Sequence, residues 1–228
     1  VYDALWLAAL TLQNASGSPS KEVFIKTASH YFGYGSIMEF DKFGDRIYGY
    51  YSFYRLAGNE SVYQWNIVAS YRKSKYSIVQ PFYYREFTND RQDKVLKVGA
   101  LLSLTGSYQE NGVRTQKSLA YIKEKINAYL QRTYTPNSYV DILVEDTASN
   151  PAIALEKMKL LQQRGVNLFI GPLISSELES CIEYANTQGL YIISPSSTSM
   201  ALAKDDNVFR FMLNDEKQAK SLANYISE

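Results

Sequence analysis

From Lys97 onward the sequence alternates short, almost wholly apolar runs with longer stretches whose apolar residues recur at spacings of three and four. No other feature restricts the fold as tightly. An apolar run too short for a helix, with no polar face for water, must be covered on both sides. Helices between such runs supply that cover when the strands lie parallel. The strands are expected at Lys97–Leu104, Val140–Val144, Val166–Ile170, Leu190–Ile193 and Val208–Met212. The first intervening helix places Leu119, Ile122, Ile126 and Leu130 on one face, the second Leu155, Met158 and Leu161, and the third Leu178, Cys181, Ile182 and Ala185. Asn150-Pro151 suits the start of the second helix, because Asn caps and Pro fits the first turn. Gly165 and Gly189 are stop signals. A last helix, capped by Asp215, is expected to turn Ala219, Leu222, Ala223 and Ile226 inward. The fold class is α/β: a doubly wound parallel sheet with helices on both faces, plus a β-hairpin element.

The hairpin belongs to the first part of the chain, which has a different grammar. Tyr2–Gln13 reads as a helix burying Leu5, Ala8, Ala9 and Leu12, and Glu22–Tyr31 as a second helix. Strands follow at Ser36–Phe40, Ile47–Leu56 and Tyr63–Tyr71, with turns at Asp41–Asp45 and Gly58-Asn59. Residues 73–96 read as a linker, in which Val79–Tyr84 could form an edge strand. The 20 tyrosines suit strands with one exposed face.

Composition removes several function classes. Net charge is +1 with both signs interspersed, and the densest basic stretch, Arg72-Lys73-Ser74-Lys75, is short. A nucleic-acid partner is therefore not expected. One cysteine, Cys181, and one histidine, His30, allow no Cys or His pair for a metal, and no cofactor loop is present. Gly33-Tyr34-Gly35 lacks the third glycine of a dinucleotide fingerprint. His30 has no nucleophile motif beside it, so no enzyme is expected. Glu145-Asp146 could in principle do acid–base work, but a solvated or capping role is the simpler reading. No apolar run approaches the ~20 residues that span a membrane. No leader pattern opens the sequence, and Val1 is expected to be a boundary within a longer parent.

In a parallel sheet, ligands sit beyond the carboxyl ends of the strands. Three such ends here carry small hydroxyl residues: Leu104–Tyr108, Gly171–Ser176 and Ser194–Thr198. Where they lead into helices they offer N–H groups and a positive dipole end to a carboxylate. Backbone carbonyls and the Thr198 oxygen could take an ammonium. Serines after strands are also ordinary helix caps, and for Ser175 or Ser176 alone capping is the favoured reading; hydroxyls repeated at several strand ends bring the ligand reading level with it.

These residues resemble a known family. The segments KVGALLSLTGSYQENG, VEDTASNPAIALEKMKLL, VNLFIGPLISSE, GLYIISPSSTS and VFRFMLNDEKQAKSLANYI, spread over Lys97–Glu228, are similar to the N-terminal half of lobe one of type I periplasmic binding proteins of the leucine/isoleucine/valine-binding type. The segments YDALWLAALTLQ, GSIMEFDKFGDR and YQWNIVASY, within Tyr2–Tyr71, resemble the C-terminal part of the same lobe. The order is thus inverted, and the second lobe has no counterpart. A junction between tandem modules or a circular permutation would give this order. In either case residues 1–72 and 97–228 are expected to pack as one domain.

The resemblance implies ligand contacts at Ser175 for a carboxylate, at the backbone of Ser196, and at Thr198 for both carboxylate and amino groups, with Ser176 and Ser197 in the same loops. Asn111 stands where many members carry an aromatic residue lining the cleft. The implied function is the solute-binding component of an amino-acid-type ABC uptake system. Its partners would be a small carboxylate or amino acid and a membrane permease or receptor, and its place extracellular or periplasmic, possibly membrane-anchored. A sensor domain of a membrane signalling receptor is the alternative. An enzyme on the same sheet is disfavoured by the missing chemistry.

Overall fold

In this computed structural model, residues 2–15, 19–29, 32–33, 36–37, 40–41, 43–46, 50–59, 62–72, 94–133 and 136–227 are described. Two helices, α1 (Tyr2–Asn14) and α2 (Lys21–Ser29), come first. The short strands β1 (Phe32–Gly33) and β2 (Ser36–Ile37) pair with each other, as do β3 (Tyr50–Asn59) and β4 (Val62–Arg72) in a long antiparallel hairpin. Then follow β5 (Val95–Leu102), α3 (Gln109–Thr133), β6 (Tyr139–Asp146), α4 (Pro151–Gln163), β7 (Leu168–Ile170), α5 (Ser175–Gln188), β8 (Tyr191–Ser194), β9 (Val208–Arg210) and α6 (Asp215–Ser227).

Strands β5 to β9 form one parallel sheet in the order β6-β5-β7-β8-β9. Its side chains alternate between two apolar layers, as the pleat requires. Val98, Ala100, Leu102, Leu168, Ile170, Ile193 and Phe209 face one layer, covered by α1, α2 and α3. Leu101, Phe169, Ile192 and Val208 face the other, covered by α4 and α5. The sheet is therefore doubly wound, as its apolar strands require.

The upstream helices form part of this core. Leu5, Leu7, Ala8 and Ala9 of α1 are fully buried in the same cluster as β5 and β7. Trp6 meets Tyr129 of α3 edge to face at 5.3 Å. Phe24 of α2 stacks on Phe209 of β9 at 3.7 Å, and Phe40 packs against Phe209 and Phe211. The Lys94 ammonium donates to the carbonyls of Gln13 and Ala15 at the end of α1, where a cation suits the dipole.

The segment after β2 also extends the sheet. Arg210 N donates to Gly44 O at 2.8 Å and Arg46 N to Arg210 O at 3.1 Å, which lays Asp45 parallel to Arg210 at the β9 edge. Gly44 has φ +75°, and a Cβ there would stand 2.0 Å from the Val208 carbonyl oxygen. Only glycine permits this approach. Asp45 and Arg210, 2% and 1% exposed, form a bidentate pair with Nε–Oδ1 at 2.5 Å and Nη2–Oδ2 at 2.6 Å.

Several boundaries differ from expectation. The first parallel strand starts at Val95, inside the stretch read as linker, and ends at Leu102, where Leu104 N turns back to Leu102 O. The Gly58-Asn59 turn is instead ladder: Gly58 pairs with Tyr63 and Asn59 with Val62. The second helix ends at Ser29; His30, Tyr31 and the candidate strand Val79–Tyr84 lie outside the described residues. Asn214, not Asp215, caps α6, its Oδ1 accepting from Lys217 N at 3.1 Å. The apolar stripe of α6 faces outward, with Leu222 45% and Ile226 74% exposed and Ala219 and Ala223 also exposed. The helical period holds, but burial needs an opposing surface, and among the described residues none covers this face.

One titratable group sits where α2 meets the approach to β9. The Asp206 Oδ1 accepts from Val208 N at 2.9 Å, while Oδ2 is buried without a partner. Lys21 donates to its carbonyl. Burial pushes the Asp206 carboxyl up to about 6 against the Val208 N–H and the Lys21 and Arg210 charges, and Asp45 adds to the rise. An acid with a raised folded pKa gives stability that is full below its unfolded value and lost as pH rises through the folded one. Asp206→Asn should match the wild type near pH 4 and gain on it above pH 6, by roughly 3 °C in melting temperature at pH 7.5. Thermal unfolding across this range checks it; a difference constant with pH would refute the assignment.

Candidate functional site

The strand order reverses at β5, whose neighbours β6 and β7 carry chain running to opposite sides. Such a switch point opens a crevice at the carboxyl ends of the strands. The loops after β5, β6, β7 and β8 converge there.

The loop after β5 is held by Asp146 at the end of β6. Its Oδ1 accepts from Leu104 N at 2.8 Å, Thr105 N at 3.1 Å and Ala148 N at 2.8 Å, and its Oδ2 from the Thr105 hydroxyl at 2.7 Å. Burial acts to raise this carboxyl, but the bonds from Thr105, Ala148 and Leu104 outweigh it and hold it below the usual carboxylate range. The Ser149 hydroxyl accepts from Tyr108 N and donates to Thr105 O, each at 3.0 Å. Ala148 and Ser149 both have positive φ, 52° and 54°, a conformation that surrounding bonds must enforce for such residues. Asp146 thus shapes a loop. Its neighbour Glu145 pairs with Arg164 and Lys157.

The loop after β7 begins at Gly171, whose φ is +88° and where a Cβ would lie 2.2 Å from Leu101 O. Gly171 N donates to Ile193 O at 2.9 Å, pinning this loop to β8. Neither Ser175 nor Ser176 caps α5. The N-cap position is Ile174, with no side chain able to accept. Ser175 is half-buried in the first helical turn, and Ser176 is exposed.

The loop after β8 crosses close by, since Ser196 Oγ donates to Leu173 O at 2.6 Å. Ser197 N donates to Ser194 Oγ at 3.3 Å. Ser197 is 1% exposed, and its hydroxyl is buried with no partner. Thr198 is half-buried, and its carbonyl accepts from Asp215 N at 3.0 Å. Arg210 Nη1 donates to Ser199 O, so the loop is also anchored to the buried ion pair. Ser175, at the start of α5, and Ser196 and Thr198, in the loop after β8, therefore stand on adjoining segments beyond the carboxyl ends of β7 and β8. Asn111 lies apart from them in sequence, exposed in the first turn of α3.

Glu177 was missed. It is fully buried in the first turn of α5, and Ser103 Oγ at the end of β5 donates to its carboxylate at 3.3 Å. One signal existed: Glu177 precedes Cys181 by four residues, so it lies on the inward face of the helix. Among the described residues no group of three or more His, Cys, Asp or Glu could hold a metal, and no helix is long and apolar enough to cross a membrane.

Comparison with known proteins bears on this wall. A family described as periplasmic binding protein matches residues 95–228. An uncharacterized protein of Methanocaldococcus jannaschii is 32% identical over 138 residues, covering 58% of this chain and 33% of that protein. The branched-chain amino acid transporter substrate binding protein LivJ from Streptococcus pneumoniae, solved in complex with isoleucine, superimposes with a TM-score of 0.53 at 28% identity, over 59% of this chain and 38% of that one. A type 1 periplasmic binding protein from Bordetella pertussis shares the fold at a TM-score of 0.50 and 23% identity, over 58% of this chain and 38% of that one. The chain thus spans about a third of the length of the curated relative it matches.

Proposed function

Because the chain belongs to the periplasmic binding protein family, we propose that it forms one lobe of an extracellular or periplasmic solute receptor, a binding protein and not an enzyme. Residues 1–72 and 95–228 complete a single lobe, and the crevice at the carboxyl ends of β5, β7 and β8 holds the carboxylate and amino groups of an amino acid or related small carboxylate. The observation that carries this is the pairing of an uncapped α5 N-terminus with the buried, unpartnered Ser197 hydroxyl on the adjoining loop. A buried hydroxyl without a partner is costly unless something from outside supplies one. Ser175, in the first turn of that helix, and Thr198, half-buried in the same loop, complete the polar wall. The similarity to a structure holding isoleucine supports an aliphatic amino acid as ligand.

Capture in such a receptor is closure of two lobes about a hinge, and the protein would hand its cargo to a membrane permease. A single wall buries little of the ligand, so residues 1–228 alone should bind L-isoleucine no tighter than the millimolar range. Calorimetry checks this, and micromolar affinity would contradict the one-lobe reading. The whole natural protein should be stabilised in a thermal-shift screen by an amino acid or small carboxylate, and Ser175→Ala and Thr198→Ala should each weaken that ligand by roughly tenfold or more. A screen in which none of these compounds shifts the melting temperature would overturn the assignment.

A further inference from the structure

Glu177 is the one charged side chain beneath this wall that no role yet explains. We infer that it is the positioning residue of the crevice: a single carboxylate locks the loops after β5, β6 and β7 together and so fixes where α5 presents Ser175. This rests on the reading of those loops as a ligand wall, although the locking itself needs no ligand.

The geometry is specific. An α-helix starts with N–H groups that lack partners, and an N-cap side chain normally accepts from one of them. Ile174 occupies that position and cannot. Glu177, three residues on, reaches back to the Ile174 N–H. That is the returning half of a capping box, made without the forward half. The same carboxylate accepts from the Ser103 hydroxyl, with oxygens at 3.3 and 3.5 Å, and the Asn150 N–H, which donates to Thr147 O at 2.9 Å, helps to hold its charge. Ser103 follows β5, Thr147 and Asn150 follow β6, and Ile174 follows β7. The Thr147 hydroxyl donates to Ser103 Oγ at 3.3 Å, so the two hydroxyls form a relay from the loop after β6 through the end of β5 to the carboxylate. The helix start is thus secured from inside the protein, with Ser175 half-buried and Ser176 exposed on its other side.

Burial pushes the Glu177 carboxyl above its ordinary range, against the bonds from Thr147, Ser103, Ile174 and Asn150. Cys181 on the same helix has its thiol pushed up to about 11 by burial, with the Glu177 charge contributing.

The experiment is amide exchange and pH titration by NMR on the ligand-free chain, in wild type, Glu177→Ala and Glu177→Gln. In Glu177→Ala the Ile174 amide should exchange at least tenfold faster than any common change seen at Ile193 in β8. Glu177→Gln keeps the shape but turns an NH2 toward that N–H, so it should accelerate the same amide. In wild type the Ile174 and Asn150 amides should titrate together, with a midpoint above that of an ordinary glutamate, and in Glu177→Gln they should be flat. Equal acceleration at all amides, or no shared titration, would overturn the positioning role. Because no ligand enters, failure here is separate from failure of the amino-acid assignment.

Discussion

Removal of residues 1–93 should leave Lys94–Glu228 without a cooperative fold, although that segment contains every strand of the parallel sheet. The reason lies in the layer that α1 and α2 cover. Leu5, Leu7, Ala8, Ala9, Phe24 and Ala28 are buried against residues of β5, β7, β8 and β9. Without them Val98, Ala100, Ile170, Ile193 and Phe209 would meet water on a broad surface, and each apolar side chain so exposed loses about 1.5–3 kcal/mol of burial. Marginal stability of about 5–15 kcal/mol does not survive several such losses. The expected result is aggregation, or a molten species with secondary structure but no sharp melting transition by circular dichroism and no dispersed NMR spectrum. A milder version keeps the chain whole: Leu5→Ala should cost about 2–5 kcal/mol in urea unfolding. If Lys94–Glu228 alone melted cooperatively near the temperature of the intact chain, the proposal that both pieces form one lobe would fail.

The second large effect concerns Asp45 and Arg210. Each is nearly inaccessible, and each is the other's charge partner across 165 residues of sequence. Deleting one leaves a buried charge uncompensated, which typically costs about 3–5 kcal/mol. Asn214 Nδ2, at 3.4 Å from Asp45 Oδ2, is a neutral and distant substitute. Asp45→Ala and Arg210→Ala should therefore each lose that much. The double variant Asp45→Leu/Arg210→Met should lose far less, because no charge is then stranded. A double-mutant cycle in urea reads the coupling. Single variants within about 1 kcal/mol of wild type would mean the segment around Asp45 does not dock on β9. Arg210→Ala has a further consequence that Asp45→Ala lacks: it removes the donor to Ser199 O and loosens the loop carrying Ser196 and Thr198.

These predictions fall where local sequence reading is weakest. The parallel strands and their helices were legible from Lys97 on, since a buried strand is a short apolar run and a helix repeats at 3.6 whatever surrounds it. Asn150 as a cap and Gly189 as a left-handed stop are legible in the sequence because both are local backbone chemistry. The site was legible only as a pattern of hydroxyls after strands. Ser175, which fits a cap by type, is already inside the helix, because the chain turns in at Ile174. Asp146 looked like solvated charge, yet its four hydrogen bonds shape the loop after β5.

By itself, the sequence determined which stretches become strands and helices, that the strands are covered on both faces, and which family the chain resembles. All of these follow from interactions within a few residues or from patterns that persist along the chain. Only the tertiary structure decided that α1 lies on β5, that Asp45 meets Arg210, that Glu177 gathers donors from three loops, and that α6 keeps its apolar stripe exposed. Each depends on which surfaces meet in space, and an apolar period or a lone charge states only that a partner is wanted, not where along the chain that partner is found.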